Sequence, residues 1–380
     1  MKILLVCDQF FGANNGTTIS ARRLRSQLEK NGNEVKPLCA GRKGQGEFCL
    51  EVFHFPLFDG LVTSQGMTFA KVDLKIIDKA VDWADIVHIY TPFALARNTI
   101  KICLKKNKPF TGAFHVQPEN ITSSIHLVNL EFVNFLLYKN FNKHVYRYCK
   151  HIHCPSTMIS NELKKHKYLS QFHVISNGID EDFRYLRRKK DSQFKDKFLI
   201  LNIGRFSIEK KQDVLIRAIA LSKYADKIQL ILAGQGPRKK NLEKLGKILK
   251  NTPVMNFYSK EDLIDIISKC DLYVHPANVE IEAMACMEAF AGGLVPIIAK
   301  SPISATSQFA LTPECLFTCG DKKELAQKID WWIEHEENRE KWGIAYAESA
   351  KKYSQANCVL KIQKMFEKAI EENGLKDGKK

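Results

Sequence analysis

The stretch from His275 to Ala299, with the apolar run Leu272 to Val274 before it, constrains the fold of this chain more than any other. The run predicts a buried strand, and Ile281 to Ala291, rich in Ala and Met, predicts a helix that Gly292-Gly293 stops. Leu294 to Ala299 then reads as the next strand. A loop that leads from a strand into a helix N-terminus is a ready anion site, because free backbone N–H groups and the positive end of the helix dipole point the same way. Glu280 stands at that mouth, and Glu288, eight residues on, lies roughly 12 Å away if the segment is helical. Two acceptors so placed suit separate parts of one long ligand. Glutamates on helices are usually solvated, but this helix is otherwise apolar, which leaves a ligand as the reason for a carboxylate at Glu288.

The 380 residues exceed one ordinary core, so two domains are expected. An apolar fraction of 45% against 26% charged residues is that of a globular protein. No run reaches the length of a membrane span, and Ile3 to Cys7 is too short for a signal-peptide core, which leads us to expect a cytosolic protein. Eleven cysteines, scattered from Cys7 to Cys358, fit reduced thiols used as small apolar residues better than a disulfide framework. The formal charge of +16 calls for an anionic partner: nucleotide, nucleic acid or an acidic membrane face. No helix-turn-helix, zinc-finger or aromatic sheet motif supports nucleic acid.

Along the chain, Lys2 to Cys7 reads as a central parallel strand, Thr17 to about Lys30 as a helix and Glu34 to Leu38 as a strand. This is a β-α-β unit without a GxGxxG fingerprint, and Gly16 in its first turn suits either close approach to a phosphate or sugar or a plain turn. A Gly-rich stretch, Gly41 to Gly46, precedes a helix from Leu74 to Trp83, a strand from Ile86 to Tyr90 and a helix from Ile100 to Lys106. The strand Phe110 to His115 ends in His115-Val116-Gln117-Pro118-Glu119. Its carboxyl edge, where open α/β sheets bind ligands, makes His115 a site candidate although a single His is more often structural. Leu127 to Tyr148 is long, aromatic and basic, and most of its apolar residues are expected in the core. With Lys101, Lys105, Lys106, Lys108 and the run Lys164 to Lys167 it also offers a basic, partly apolar face to anionic lipid.

Cys149 to Cys154 holds metal-ligand residue types, but zinc sites use two separated ligand pairs, so the segment reads as a strand end before a helix from Met158 to Lys167. Phe172 to Ser176 is a further strand, and the charged stretch Arg184 to Lys197 reads as an interdomain linker. Phe198 to Gly204 opens the second half with a buried strand, followed by Arg205 and Lys210 ahead of a helix from Val214 to Tyr224. Two cations around a strand-to-helix loop suit a diphosphate, Arg as a bidentate fork and Lys as a point charge. The strand Gln229 to Ala233 ends in Gly234-Gln235-Gly236-Pro237; after the helices Glu324 to Glu334 and Glu340 to Lys352, the last, Val359 to Glu372, is placed to cross back to the first half.

Gly204-Arg205 to Glu209-Lys210, Ala233-Gly234-x-Gly236-Pro237, Ser176-Asn177-Gly178-Ile179-Asp180 and Glu280-x7-Glu288 together resemble the motifs of family 4 retaining glycosyltransferases. Asn15-Gly16-Thr17-Thr18, Phe114 to Glu119, His151 to Ser156, Val279 to Ala283 and Ser304 to Leu311 further resemble the bacterial glycolipid branch, with its cholesterol α-glucosyltransferase, diacylglycerol glucosyltransferases and α-galactosylceramide synthase. The resemblance implies an α/β chain of the GT-B fold: two facing Rossmann-like domains with a cleft between them. Residues 1–183 would form the acceptor-binding domain, 198–350 the nucleotide-sugar-binding domain, and 351–380 the helix crossing back. Arg205 and Lys210 would neutralise the departing diphosphate without a metal or other cofactor. Glu288 would accept from the ribose hydroxyls, Glu280 from sugar hydroxyls, and backbone N–H groups of Ile281, Glu282 and Ala283 would hold phosphate or sugar. Gly16 would approach the donor, Gly234 belongs to the same donor set, and His115 would line the sugar and acceptor side. Glu282-Ala283 stands where the family commonly has Phe-Gly, which leaves the sugar open.

The expected activity is transfer of a hexose from UDP-galactose or UDP-glucose, with retention, to the hydroxyl of ceramide, diacylglycerol or a sterol, by a cytoplasmic enzyme associated peripherally with an anionic membrane surface. Transfer to a surface polysaccharide or lipopolysaccharide is the rival within the family, a nucleotide-sugar epimerase a further one, and a non-catalytic anionic-surface or nucleic-acid binder the rival outside it.

Overall fold

The computed structural model describes residues 1–11, 15–41, 46–54, 68–123 and 130–377. Most of the Gly-rich stretch after Gly41, and the segment from Leu127 to Asn129, lie outside these. The chain divides into two compact units, Met1–Asn177 with Ala356–Lys380, and Gly178–Gln355. Residues 178–183, assigned to the first domain by sequence, belong to the second unit: Ile179 and Phe183 are buried in its core.

In the first unit the strands are β1 (Lys2–Gln9), β2 (Glu34–Ala40), β3 (Phe48–Leu50), a short antiparallel pair β4 (Val52–Phe53) and β5 (Phe69–Ala70), then β6 (Ile86–Ile89), β7 (Phe110–Ala113), β8 (His151–Cys154) and β9 (Gln171–Val174). Seven form one parallel sheet in the order β3-β2-β1-β6-β7-β8-β9. Residues 3–7 of β1 are wholly buried because a central parallel strand is covered on both faces. Helix Gly16–Lys30 follows β1, its start fixed by Asn15, whose Oδ1 accepts the Thr18 N–H at 2.9 Å. Asp73, Ser156, Ser259 and Asp321 cap four other helices in the same way.

The second unit holds β10 (Phe198–Ile203), β11 (Ile228–Ala233), β12 (Val254–Asn256), β13 (Leu272–His275), β14 (Pro296–Lys300) and β15 (Leu316–Thr318) in one parallel sheet, order β12-β11-β10-β13-β14-β15. Both units are thus Rossmann-like. The last helix, Gln355–Asp377, places Val359, Ile362, Met365 and Phe366 in the core of the first unit with Ile3, Leu5 and Leu28. The charged stretch after Arg184 is fastened to the second unit rather than loose. Arg187 donates to the Cys270 carbonyl at 2.6 Å, Arg188 pairs with Asp265 at 2.8 Å, and Lys190 with Asp271 at 2.6 Å.

The two places where the chain passes between units are stitched side by side. Ile179 N–H donates to Tyr353 O at 2.8 Å and Gln355 N–H to Ile179 O at 3.0 Å. Gly178 lies at φ +83°, and a Cβ there would sit 2.6 Å from Gln355 Cα. Gly178→Ala therefore combines left-handed strain with a backbone clash, and a loss of about 1–3 kcal/mol is expected in denaturant unfolding; unchanged stability would contradict the stitched arrangement.

Candidate active site

In the second sheet the strand order reverses between β10 and β13, since the chain runs outward from β10 through β11 and β12 and then outward again from β13. The crevice at the carboxyl ends of such a pair is where doubly wound sheets bind ligands. The loop after β10 supplies Gly204, Arg205 and Lys210; the end of β13 and its loop supply His275 and Glu280. Glycine at 234, after β11, is demanded by space, because a Cβ there would lie 2.0 Å from the Gly204 carbonyl oxygen. The two strand-end loops are joined by Phe206 N–H donating to Gln235 O at 2.9 Å.

At the crevice the Lys210 ammonium is ion-paired with the Glu280 carboxylate, and His275 Nε2 lies 3.0 Å from the same Oε1. His275 Nδ1 is 3.1 Å from the Tyr273 hydroxyl. A neutral imidazole with its proton on Nε2 satisfies both contacts, accepting from Tyr273 and donating to Glu280. Burial works against the Glu280 charge, but Lys210 and His275 outweigh it and hold the carboxyl down at about 2. Burial opposes the Lys210 charge too, and Glu280 and Glu209 more than compensate, leaving its pKa raised. Glu280 is therefore an anion that accepts hydrogen bonds and not a proton shuttle near neutrality. Tyr273 and His275 had no role in the sequence reading. Their signal is the two-residue period, which puts both side chains on one face of a strand whose end forms the crevice.

The helix after Glu280 begins later than the sequence suggests: it spans Met284–Ala291, and 281–283 form a turn. Ala283 is the cause, at φ +72° and ψ +63°, a left-handed conformation in which the regular spiral cannot continue backward. No side-chain hydrogen bond caps this helix. Helical rise therefore separates Met284 from Glu288 only, not Glu280 from Glu288. Ala305 N–H donates to the Glu280 carbonyl at 2.9 Å, and residue 280 forms a bridge with Ser304, which fixes the loop from the β14 side. Glu282, Ala283 and Glu288 are buried and Ile281 half-buried.

Gly16 and His115 belong to the first unit. Gly16 is the first residue of its helix, directly after the Asn15 cap. His115 follows β7 at the carboxyl edge and is 5% exposed. Its ring stacks on Tyr90 with centroids 4.2 Å apart, and Ser20 Oγ lies 2.8 Å from the Tyr90 hydroxyl. His115 Nε2 has no hydrogen-bond partner among the described residues. Burial, then His153 and His88, hold its pKa well below the usual imidazole range, so it is neutral near pH 7. Of the histidines in the segment Cys149 to Cys154, His151 contacts His173 at 3.0 Å and Glu372 at 3.1 Å, and His153 contacts the Ile175 carbonyl at 2.7 Å.

Two family models match in succession: Glycosyltransferase Family 4 over residues 14–183 and Glycosyl transferases group 1 over residues 184–349. The chain is a GT-B glycosyltransferase. Its curated relatives include the GDP-mannose-dependent alpha-mannosyltransferase of Corynebacterium glutamicum, 24% identical over 96% of this chain and 88% of that protein. Another is the alpha-monoglucosyldiacylglycerol synthase of Streptococcus pneumoniae, 25% identical over 79% of this chain and 71% of that protein. Among solved GT-B structures, Anabaena Alr3699/HepE in complex with UDP-glucose is 17% identical, with a TM-score of 0.74 over 97% of this chain and 100% of that one.

The ion pair gives this site a pH signature. The lowered Glu280 carboxyl contributes stability that is complete above its unfolded value of about 4.3 and is lost as pH falls toward the folded one. Lys210→Met leaves burial opposed mainly by His275, so the Glu280 carboxyl rises. Thermal melts between pH about 3 and 5 are expected to show a smaller gain in stability with pH for this variant than for the native chain. Parallel curves would contradict the pairing.

Proposed function

We propose that this glycosyltransferase moves a hexose, glucose or galactose, from a UDP-sugar to the hydroxyl of a membrane lipid, giving an α-glycolipid with retention of configuration. The observation that carries the reading is the set of charges at the β10/β13 crevice: a cation held in reserve on Glu280, Arg205 on the same loop, and the buried carboxylate of Glu288 on the helix that follows. The name of the Streptococcus relative supports a lipid acceptor. Diacylglycerol, ceramide and a sterol remain the acceptor candidates. No helix of the described residues is long and apolar enough to cross a membrane, so contact with the lipid would be peripheral.

In this reading the donor diphosphate takes Lys210 from Glu280, and Arg205 adds a second positive charge as the phosphate departs. In this reading these two cations take the part that a metal would play at the diphosphate. Glu280, released from Lys210 but still held by His275, accepts from sugar hydroxyls, and Glu288 from the ribose. Backbone N–H groups of Ile281, Glu282 and Ala283 hold phosphate or sugar, Gly234 keeps the donor loop close, and Gly16 approaches the donor from its own helix start. With Glu280 committed to hydrogen bonds from His275 and the sugar, retention proceeds by attack from the face that the phosphate leaves. The bond from the anomeric carbon to the diphosphate oxygen breaks, that from the acceptor oxygen forms, and the hydroxyl proton passes to the departing phosphate. Neutral His115 lines the sugar and acceptor side as a single hydrogen-bonding group.

Nucleotide release by the purified chain tests this, with UDP-glucose, UDP-galactose and GDP-mannose each offered with dispersed diacylglycerol, ceramide or cholesterol. Release that depends on one UDP-sugar and one lipid is expected, and Glu288→Ala is expected to lower it by about a hundredfold or more while leaving the melting curve in place. Release only with GDP-mannose, or only with a soluble saccharide acceptor, would contradict the reading.

A further inference from the structure

One face of the first sheet carries a row of histidines beneath the last helix. The register sets His88 of β6 opposite Thr111 of β7, Ala113 of β7 opposite His153 of β8, and His153 opposite His173 of β9. Side chains two residues apart share a face, so His115 and His151 belong to it as well. Five of the chain's eleven histidines thus lie on one surface, and four of them are at most 5% exposed. The cover is Gln355–Asp377: its Phe366 ring is 4.9 Å from the His88 ring, and its Glu372 Oε2 is 3.1 Å from His151 Nε2. A helix-covered face of a parallel sheet is ordinarily apolar, so five imidazoles there need a reason of their own.

The imidazoles touch one another and are held neutral. His151 Nδ1 lies 3.0 Å from His173 Nε2, the His115 and His153 rings are 5.2 Å apart, and those of His88 and His153 are 6.5 Å apart. His153 donates from Nε2 to the Ile175 carbonyl at 2.7 Å, and His88 Nδ1 is 2.8 Å from the Thr111 hydroxyl. Their other ring nitrogens, and His115 Nε2, have no hydrogen-bond partner among the described residues. A proton added to any of these three would be a buried charge with no acceptor. Burial, and after it the neighbouring rings, hold His88 and His115 well below the usual imidazole range. Burial holds His153 at about 4, against the Ile175 carbonyl and with the help of His173. Burial lowers His151 and His173 too; there Glu372 favours the charged form, while Lys368 opposes it in both and Lys150 in His151.

We propose that this row is an acid-sensitive catch: as the imidazoles take up protons the last helix lifts off the first unit, and it seats again once they are neutral. Lifted, the helix leaves each imidazole in water, where it protonates near its ordinary value of about 6.5. The seated state is therefore favoured above that pH and lost as pH falls from about 6.5 toward about 4. Each imidazole freed raises the open population by up to about tenfold per pH unit below that value, so several on one face make the release steep. His115 ends the row at the carboxyl edge of the sheet, on the sugar and acceptor side, so release would also disturb transfer. That consequence rests on the proposed function; the catch itself does not.

The test is hydrogen–deuterium exchange of the full-length protein at pH values from about 7.5 to about 5, corrected for the intrinsic pH dependence of exchange. Protection of residues 359–369 is expected to fall by about a hundredfold or more across this range, while β10 and β11 of the second unit keep theirs. His88→Asn with His153→Gln removes two protonating groups and leaves an amide to reach Thr111 and Ile175; the fall is expected to be at least about tenfold smaller. The native protein gives a second reading that needs no variant: the imidazole proton signals of the row should titrate together with the loss of protection, and reversibly. Unchanged protection at the acid end, equal loss in both units, or an equal fall in the double variant would overturn the proposal. Imidazoles that titrate while the helix stays protected would overturn it too. Release of the helix by a protein inactive on every lipid keeps the catch and removes the acceptor reading.

Discussion

The Glu280 carboxylate is the point at which the crevice of the second unit is held together. A charge with little access to water is costly unless it is paired, and here Lys210 and His275 approach the same oxygen. Each partner comes from a different carboxyl strand end, Lys210 from the loop after β10 and His275 from the last residue of β13. The ion pair therefore ties together the two strands between which the sheet reverses direction. It also keeps an ammonium group in place for an anion without leaving it unneutralised beforehand. In the proposed reading an arriving diphosphate would exchange one negative partner of Lys210 for another, which costs less reorganisation than building a cation site afresh.

Glycine and strained backbone shape the loops around this ion pair. Gly234 lets the loops after β10 and β11 touch, with no room for a Cβ against Gly204. Ala283 adopts a left-handed conformation that interrupts the helix, so residues 281–283 stand as a turn ahead of the regular spiral, which begins with the Ala283 carbonyl accepting the Met287 N–H at 3.2 Å. Strain of this kind persists where surrounding structure holds it, and here the Glu280 carbonyl bound by Ala305 does so from the neighbouring strand connection.

Much of the fold was legible because parallel strands are apolar throughout. Residues 2–7, 198–203 and 229–233 read as strands from composition alone and lie in β1, β10 and β11. Short edge strands were not legible: β3 and β15 carry too few residues for a period to emerge. The start of helix Met284–Ala291 was misplaced because nothing in Ile-Glu-Ala announces a left-handed alanine. Lys210 and Glu280 were each chosen from sequence, but their pairing was not, since strand order alone brings residues seventy apart into contact. The aromatic helix Glu131–His144 was expected to send most of its apolar residues inward, yet Phe132, Phe135 and Leu136 face solvent. Its period was readable; which face the unit covers was decided by Thr122 and Glu119, whose partners Asn134 and Tyr138 had to point inward.

The central claim is that the β10/β13 crevice receives a nucleotide diphosphate on Lys210 and Arg205. Calorimetric titration of UDP into the native chain and into Lys210→Met tests it most directly. The account predicts saturable binding by the native protein, weakened by about tenfold or more in the variant, because a charge-assisted contact to phosphate is lost. Equal affinity in both proteins would place the nucleotide elsewhere and remove the basis for the site.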